Sequence, residues 1–337
     1  MTRVLAIESS CDETAAAVVR DGRWIEGNAV ASQIPIHQQY GGIVPEVASR
    51  AHVDALVPVV RDALEQAEVR WDDIDVIAAT KGPGLAGSLL IGLNGAKAIA
   101  YGRDLPFIGV NHLEGHIYAN WLAPASDEAK GPAAPEFPLL CLVVSGGHSD
   151  LVLMRDHGDL VRLGRTRDDA AGEAFDKVAR MLGLGFPGGP LIQKAAEDGD
   201  SARFPLPRAW LKDTYDFSFS GVKTAVLRLI ETLPKDDLPA PDVAAAFQLS
   251  VADVLSAKAA QAATEHRARQ VALAGGVAAN SALRKLIVER SPVPVLMPPI
   301  RYCTDNAAMI AAAGYFRYAS GERSDFATDV TPNLAIA

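Results

Sequence analysis

His112 and His116 stand four residues apart in the segment HLEGH, and Asp305 stands in CTDN near the far end of the chain. On a helix, positions i and i+4 differ by only about 40° of rotation, so both imidazoles can reach one ion. Two histidines and a carboxylate leave coordination positions open, as a catalytic or substrate-gripping zinc or iron(II) requires and a structural metal does not. The plainer reading is a pair of ordinary helix histidines. The zinc-protease signature needs a glutamate directly after the first histidine, to act as general base. Here that position is Leu113, and Glu114 falls about 200° round the helix from His112, pointing away from a shared ion.

Elements from both ends of the chain must bring these residues together. Residues 3–20, RVLAIESSCDETAAAVVR, read as two apolar runs around an acidic turn, a hairpin with a buried first strand. Residues 138–155, PLLCLVVSGGHSDLVLMR, repeat the pattern. In each half a strand then ends in a glycine-rich turn opening a helix: DVIAATKGPGLAGSLLIGLNGAKAIAYG in the first, QVALAGGVAANSALRKLIVE in the second. This duplication predicts an α/β protein of two related lobes, each a mixed sheet flanked by helices, facing one another across a nucleotide cleft lined by glycine turns. Glycine turns and helix N-termini suit phosphate. The expected division is an N-terminal lobe of residues 1–130 plus 305–337, which carries the metal ligands, and a C-terminal lobe of residues 131–304. Extra elements occupy residues 156–245, a Pro- and Ala-rich linker covers residues 123–138, and a final helix over about 305–319 is capped by Asp305 and Asn306 and returns to the first lobe.

Gly82, Gly84 and Gly87 spell G-x-G-x-x-G after a strand and before a helix, formally the dinucleotide fingerprint. A hairpin precedes it, however, and the next strand, PFIGVNH, ends in Asn and His instead of an acidic residue. The P-loop ending Gly-Lys-Ser/Thr is also missing. These glycines serve equally well to let a helix pack closely on the sheet.

The chain has 337 residues, 49% hydrophobic and 22% charged, with a mean hydropathy of +0.11, which fits a folded bilobal enzyme. No apolar run approaches a membrane span and no signal-peptide core is present, so a cytoplasmic protein without a membrane partner is expected. Cys11, Cys141 and Cys303 are odd in number and far apart, against a disulfide framework. A net charge of -9 argues against autonomous, tight nucleic-acid binding, so any RNA contact needs a local basic patch or a partner.

Taken together, ESSCDET (8–14), YGGIVPEVASRAH (40–52), GPGLAGSLLIG (82–92), HLEGH (112–116), VVSGGHS (143–149), AAGEAFDKVARMLGL (170–184), PGGP (187–190), FSFSGVKT (217–224), AGGVAAN (274–280) and CTDNAAMIA (303–311) closely resemble the tRNA adenosine threonylcarbamoyltransferase family, of the actin, hexokinase and Hsp70 (ASKHA) superfamily. They span nearly the full length in that family's order. The resemblance implies transfer of a threonylcarbamoyl group from threonylcarbamoyl-AMP to the exocyclic amine of the tRNA adenosine 3′ of the anticodon, releasing AMP.

Carried over by position, the resemblance implies His112, His116 and Asp305 as ligands of one divalent ion, Fe(II) or Zn(II). It implies the backbone of Val143, Val144, Ser145, Gly146 and Gly147, with Asp176, Gly189 and Asn280, as the donor-adenylate site. The metal would act as a Lewis acid on the transferred group or its phosphate. Asp12 and Glu13 are acid-base candidates; positioning a water, binding a second cation or closing the hairpin are their alternatives. Some family members carry Asp a few residues after the PGGP turn, where this chain has Gln193, and Ser9 stands where Thr is common. The implied partners are tRNA, a catalytically silent paralogue (TsaB type) and a small P-loop ATPase (TsaE type). A small-molecule kinase on the same fold, a metallopeptidase and a non-catalytic scaffold are the competing readings.

Overall fold

The computed structural model describes residues 1–129, 133–234 and 238–336. In chain order the strands are β1 (Arg3–Glu8), β2 (Glu13–Arg20), β3 (Trp24–Ser32), β4 (Val76–Gly82), β5 (Phe107–Asn111), β6 (Ala123–Pro124), β7 (Leu139–Val144), β8 (Ser149–Asp156), β9 (Asp159–Arg165), β10 (Gln270–Ala274) and β11 (Val295–Leu296). The helices are α1 (Ile34–Gln38), α2 (Pro45–Gln66), α3 (Ala86–Arg103), α4 (His112–Tyr118), α5 (Ala171–Met181), α6 (Gly188–Ala196), α7 (Ser220–Thr232), α8 (Ala240–Glu265), α9 (Ser281–Arg290) and α10 (Ala307–Ala319). The chain divides into two compact units, Met1–Pro135 with Thr304–Ala337, and Glu136–Cys303.

In the first unit the sheet order is β5-β4-β1-β2-β3-β6, with β1, β4 and β5 parallel and β1, β2 and β3 an antiparallel meander. Both faces of β1 are buried. Leu5 and Ile7 pack with Val59, Val60 and Leu93 of α2 and α3, whereas Val4 lies on the opposite face with Ala78, against Gly314 of α10. A Cβ on Gly314 would sit 2.7 Å from Ala78 Cβ, so glycine lets α10 lie directly on the sheet.

The second unit repeats the plan: order β11-β10-β7-β8-β9, with β7, β10 and β11 parallel and β7, β8 and β9 antiparallel. Leu140, Leu142 and Val144 of β7 face Phe175 and Val178 of α5 and Phe247 and Val251 of α8. The hairpins read from the sequence are thus the first two strands of three-stranded meanders. The third strands escaped notice because β3 and β9 are only partly buried and alternate weakly.

Three expectations change. The start of the linker is structured: Ala123 and Pro124 pair with β3, and the described residues of 123–138 flank residues 130–132, which lie outside the described residues. The final helix begins at Ala307 with Asn306 as its cap, its side chain accepting from Met309 N at 3.1 Å, while Asp305 turns elsewhere. Finally, α8 is long and apolar enough by length and composition to cross a membrane, but most of it is buried inside the fold. Alternating Ala with Val, Leu and Phe makes it a core helix packed by other elements.

Candidate active site

β5 runs directly into α4, and Asn111 at the junction caps the helix: its Oδ1 accepts from Leu113 N at 2.9 Å and from Glu114 N at 3.4 Å. All seven residues of α4 are buried. Gly115 lets α4 close on α10, since a Cβ there would lie 2.6 Å from Ile310 Cδ1. The start of α10 therefore delivers Asp305 to the face of α4 that carries His112 and His116. Donor atoms of His112, His116 and Asp305 all lie within 4.8 Å of one another. His112 Nε2 is 3.6 Å and His116 Nε2 3.2 Å from Asp305 Oδ1, and the two rings stand 4.7 Å apart at 80°.

These residues fit a metal ion. His116 is fully buried, and neither of its ring nitrogens has a hydrogen-bond partner among the described residues. A buried imidazole with both nitrogens unsatisfied is costly unless another acceptor of its lone pair is supplied. Two imidazoles and a carboxylate suit zinc and iron(II) alike.

Sequence reading passed over Glu8, which completes the arrangement. Its fully buried carboxylate takes Thr80 Oγ1–H at 2.6 Å and Ser10 N–H at 2.5 Å, and its Oε2 lies 3.0 Å from His112 Nδ1. Nδ1–H pointing at Glu8 leaves Nε2 directed at Asp305, the tautomer a metal ligand needs. Burial alone would raise the Glu8 carboxyl and lower the His112 imidazole. Their mutual attraction outweighs burial and holds Glu8 below the ordinary carboxylate range; with Asp305 it pushes His112 up to about 9. A cation at Nε2 displaces that proton. The overlooked signal was a glutamate directly following the fully buried apolar run Val4, Leu5, Ala6 and Ile7.

Glu114 faces the other way, as its helical position requires. It is buried and accepts from Arg317 Nε at 2.9 Å and Nη2 at 2.5 Å, while Glu322 takes the remaining Arg317 Nη1 at 2.8 Å. Burial keeps the Glu114 carboxyl above its ordinary value even with Arg317 beside it. The residue that a protease reading would want as base instead ties α4 to α10.

Asp12 and Glu13 lie on the β1–β2 turn, partly exposed. Burial first, then the charges of Asp305 and Asp12, push Glu13 up to about 10. The turn is gripped from α2: His52 Nε2 donates to Cys11 O at 3.0 Å, and Thr14 Oγ1–H donates to His52 Nδ1 at 2.7 Å. The carbonyl can only accept, which fixes this tautomer, and His52 thereby holds both residues that bracket the acidic pair. Gln33 N donates to Asp12 O at 2.9 Å.

The G-x-G-x-x-G stretch packs against protein. A Cβ on Gly82 would lie 2.0 Å from Thr331 O, and one on Gly84 2.5 Å from Ser10 O. Both also have positive φ, 151° and 157°. These glycines seat the C-terminal segment and the β1–β2 turn on the mouth of α3.

In the second unit, the turn after β7 closes with Ser145 N donating to His148 O at 2.8 Å. Gly172 and Gly275 back it closely, since a Cβ on Gly172 would lie 2.5 Å from Ser145 O and one on Gly275 2.4 Å from Val144 O, while Gly146 and Gly147 have open space beside them. β7 and β10 are adjacent parallel strands, so the turns following Val144 and Ala274 emerge at the same sheet end, where α/β sheets take ligands. Asp176 on α5 accepts from Gly188 N at 2.7 Å, and Gly189 beside it is open. Asn280 caps α9 through Leu283 N at 3.0 Å and donates to Gln248 Oε1 at 2.7 Å, which still leaves one N–H and one lone pair for another partner. Gln193 accepts from Ser281 N at 2.8 Å, tying α6 to the start of α9.

Two mixed α/β units of the same strand order define a member of the actin, hexokinase and Hsp70 fold class. Solved structures agree at the level of fold: HypF from T. kodakarensis matches with a TM-score of 0.64 and 15% identity over 95% of this chain and 48% of that one. Component A of (R)-2-hydroxyglutaryl-CoA dehydratase from Acidaminococcus fermentans matches with a TM-score of 0.53 and 16% identity over 95% of this chain and 100% of that one. The family model "TsaD: tRNA N6-adenosine threonylcarbamoyltransferase" matches residues 25–312, and the chain belongs to this family. It is 57% identical to the tRNA N6-adenosine threonylcarbamoyltransferase of Thermomicrobium roseum, over 99% of this chain and 96% of that protein. The proteins of that name from Dehalococcoides mccartyi (strain CBDB1) and Geobacillus kaustophilus are 56% and 51% identical, each over 99% of this chain and, respectively, 99% and 96% of theirs. The chain is a transferase that modifies an adenosine of tRNA with a threonylcarbamoyl group.

Proposed function

We propose that the donor is threonylcarbamoyl-AMP, that AMP is released, and that one divalent ion, Fe(II) or Zn(II), held by His112, His116 and Asp305 assists the transfer to the adenosine 3′ of the anticodon. The observation that carries this reading is the convergence of those three donors within 4.8 Å, with the buried His116 nitrogens lacking a hydrogen-bond partner among the described residues. The N-terminal unit with the returning Thr304–Ala337 segment is assigned the metal, and the Glu136–Cys303 unit the adenylate.

In this reading the Val143, Val144, Ser145, Gly146 and Gly147 segment holds the donor's phosphate and acyl oxygens: Val143, Val144 and Ser145 form the strand end and closed turn, and the open Gly146 and Gly147 offer their backbone N–H groups at close approach. Gly189 leaves room for a ring, and Asp176 and Asn280 offer polar groups to ribose or base. The adenosine N6 lone pair attacks the carbamoyl carbon, the bond from that carbon to the phosphate oxygen breaks, and AMP leaves with the electron pair. The N6 proton passes to Asp12, while Glu13, held protonated by burial and the neighbouring carboxylates, is the acid of the pair; His52 holds both in place. The bound metal supplies Lewis-acid stabilisation of the charge that builds on the acyl and phosphate oxygens. Glu8 orients His112 for that purpose. A silent paralogue of TsaB type and a P-loop ATPase of TsaE type are the proposed protein partners.

Nucleoside mass spectrometry of unmodified tRNA incubated with synthetic threonylcarbamoyl-AMP and the partner proteins tests this, for wild type and His112→Ala, with metal content measured in parallel. Threonylcarbamoyl-adenosine and equimolar AMP from wild type, with loss of product and metal in the variant, is the expected result. Full activity of metal-free His112→Ala would overturn the metal assignment, and failure of wild type beside a working control enzyme would overturn the donor.

A further inference from the structure

A chain of net charge -9 that acts on tRNA needs a local basic surface or a partner to offset its own repulsion of phosphate. One candidate surface lies at the outer edge of the Glu136–Cys303 unit. β9 ends its sheet, and it pairs with β8 as Asp150↔Arg165, Leu151↔Gly164 and Val152↔Arg162, with Leu163 bulged out. Residues three apart in a regular strand point to opposite faces. The bulge restores them to one face, beside Asp150 and Val152.

Arg162 and Arg165 have no ion-pair partner among the described residues, although both feel the buried Asp150 carboxyl. Arg167, two residues on, is 63% exposed and pairs with Asp216 at 2.5 Å. The three guanidiniums and Asp216 line a recess of about 270 Å³. Leu163 separates it from a cavity of about 710 Å³ bounded by Trp210, Lys212, Asp213, Tyr215 and Glu265. Trp210 is 53% exposed. The wall that carries it is pinned from below by Lys258, whose Nζ donates to Leu211 O, Thr214 O and Asp216 O at 3.0, 2.8 and 2.5 Å.

Cationic side chains near an exposed indole form the usual combination for unpaired nucleic acid, where phosphates meet guanidiniums and a base stacks. The strip also continues to the donor-site turn: Thr166 N donates to Ser149 O at 2.8 Å, two residues beyond Gly147. We propose that an unpaired strand of the tRNA docks here, with its phosphates on Arg162, Arg165 and Arg167 and a base stacked on Trp210. This rests on tRNA being the substrate and adds the surface that receives it.

The test is binding of fluorescein-labelled, unmodified tRNA to the chain with its partner proteins at several salt concentrations. Wild type is compared with Arg162→Ala/Arg165→Ala, Trp210→Ala and Trp210→Phe, with melting temperature and AMP binding as folding controls. The double arginine variant is expected to bind at least tenfold more weakly, with a salt slope smaller by about one to two counterions. Trp210→Ala should lose about tenfold, Trp210→Phe little, and a loop-free RNA duplex should compete poorly. Wild-type affinity and slope in the variants, or no tRNA binding by wild type, would overturn the proposal and leave the arginines as charges that only protect a sheet edge. Weakened binding in the variants without threonylcarbamoyl-adenosine formation by wild type would uphold this surface and sink the donor reading. Product formation with unaffected variants would do the reverse.

Discussion

Glu8 Oε2 lies 3.0 Å from His112 Nδ1, and this fully buried carboxylate is what aims the histidine's other nitrogen at Asp305. Because Thr80 and the Ser10 amide also donate to Glu8, the carboxylate cannot swing away. Replacing Glu8 by Ala should lower zinc or iron(II) affinity about 10- to 100-fold, the range for loss of a carboxylate behind a ligating imidazole. Competition titration with a chromophoric chelator measures it. An affinity equal to wild type would show that Ser10 alone suffices to orient the ring.

Arg317 makes the direct ion pair to the buried Glu114 carboxylate. Arg317→Met strands that charge between α4 and α10, and the expected loss is about 3 kcal/mol of unfolding free energy. Glu114→Gln with Arg317→Met should recover much of it, since the isolated charge is then gone. Urea denaturation of the two single variants and the double variant closes the cycle.

Gly84 combines a φ of 157° with an approach that would put a Cβ 2.5 Å from Ser10 O. Gly84→Ala should cost about 2–4 kcal/mol through strain and overpacking. Since Ser10 Oγ lies 3.1 Å from His112 Nδ1, metal affinity should fall as well. If the glycine instead served a nucleotide, stability would hold while AMP binding fell.

Burial pushes the Asp150 carboxyl up to about 6 against the opposing pull of Arg162 and Arg165. A carboxyl raised in the folded state contributes its stability below its unfolded value near 4, and loses that contribution as pH climbs through about 6. Asp150→Asn should therefore match or trail wild type at pH 4 and gain on it by about 1–3 kcal/mol between pH 4 and 7. Chemical denaturation across that range reads the difference, and a gap that does not change with pH would refute it.

Much of the fold is legible in the chain because each half repeats one order of apolar runs and glycine turns, and buried strands such as Val4, Leu5, Ala6 and Ile7 announce themselves by composition. The third strand of each meander is not legible, because partial burial blurs the alternation that marks a strand. Helical spacing likewise puts His112 and His116 on one face and turns Glu114 away from them, and the structure follows this geometry.

What the sequence determined alone was therefore local: which residues are metal-ligand types, which turns carry glycine, and which elements recur. Only the tertiary structure decided that Asp305, nearly two hundred positions from His116, meets it at 3.2 Å, that Glu8 stands behind His112, and that Gly82 and Gly84 receive the chain's own C-terminal segment. A dihedral preference or an apolar period acts over a few residues, whereas a coordination site or a close approach is set by how whole elements pack. Gly115 and the Glu114–Arg317 pair illustrate this, since each acts only once α4 and α10 are in contact.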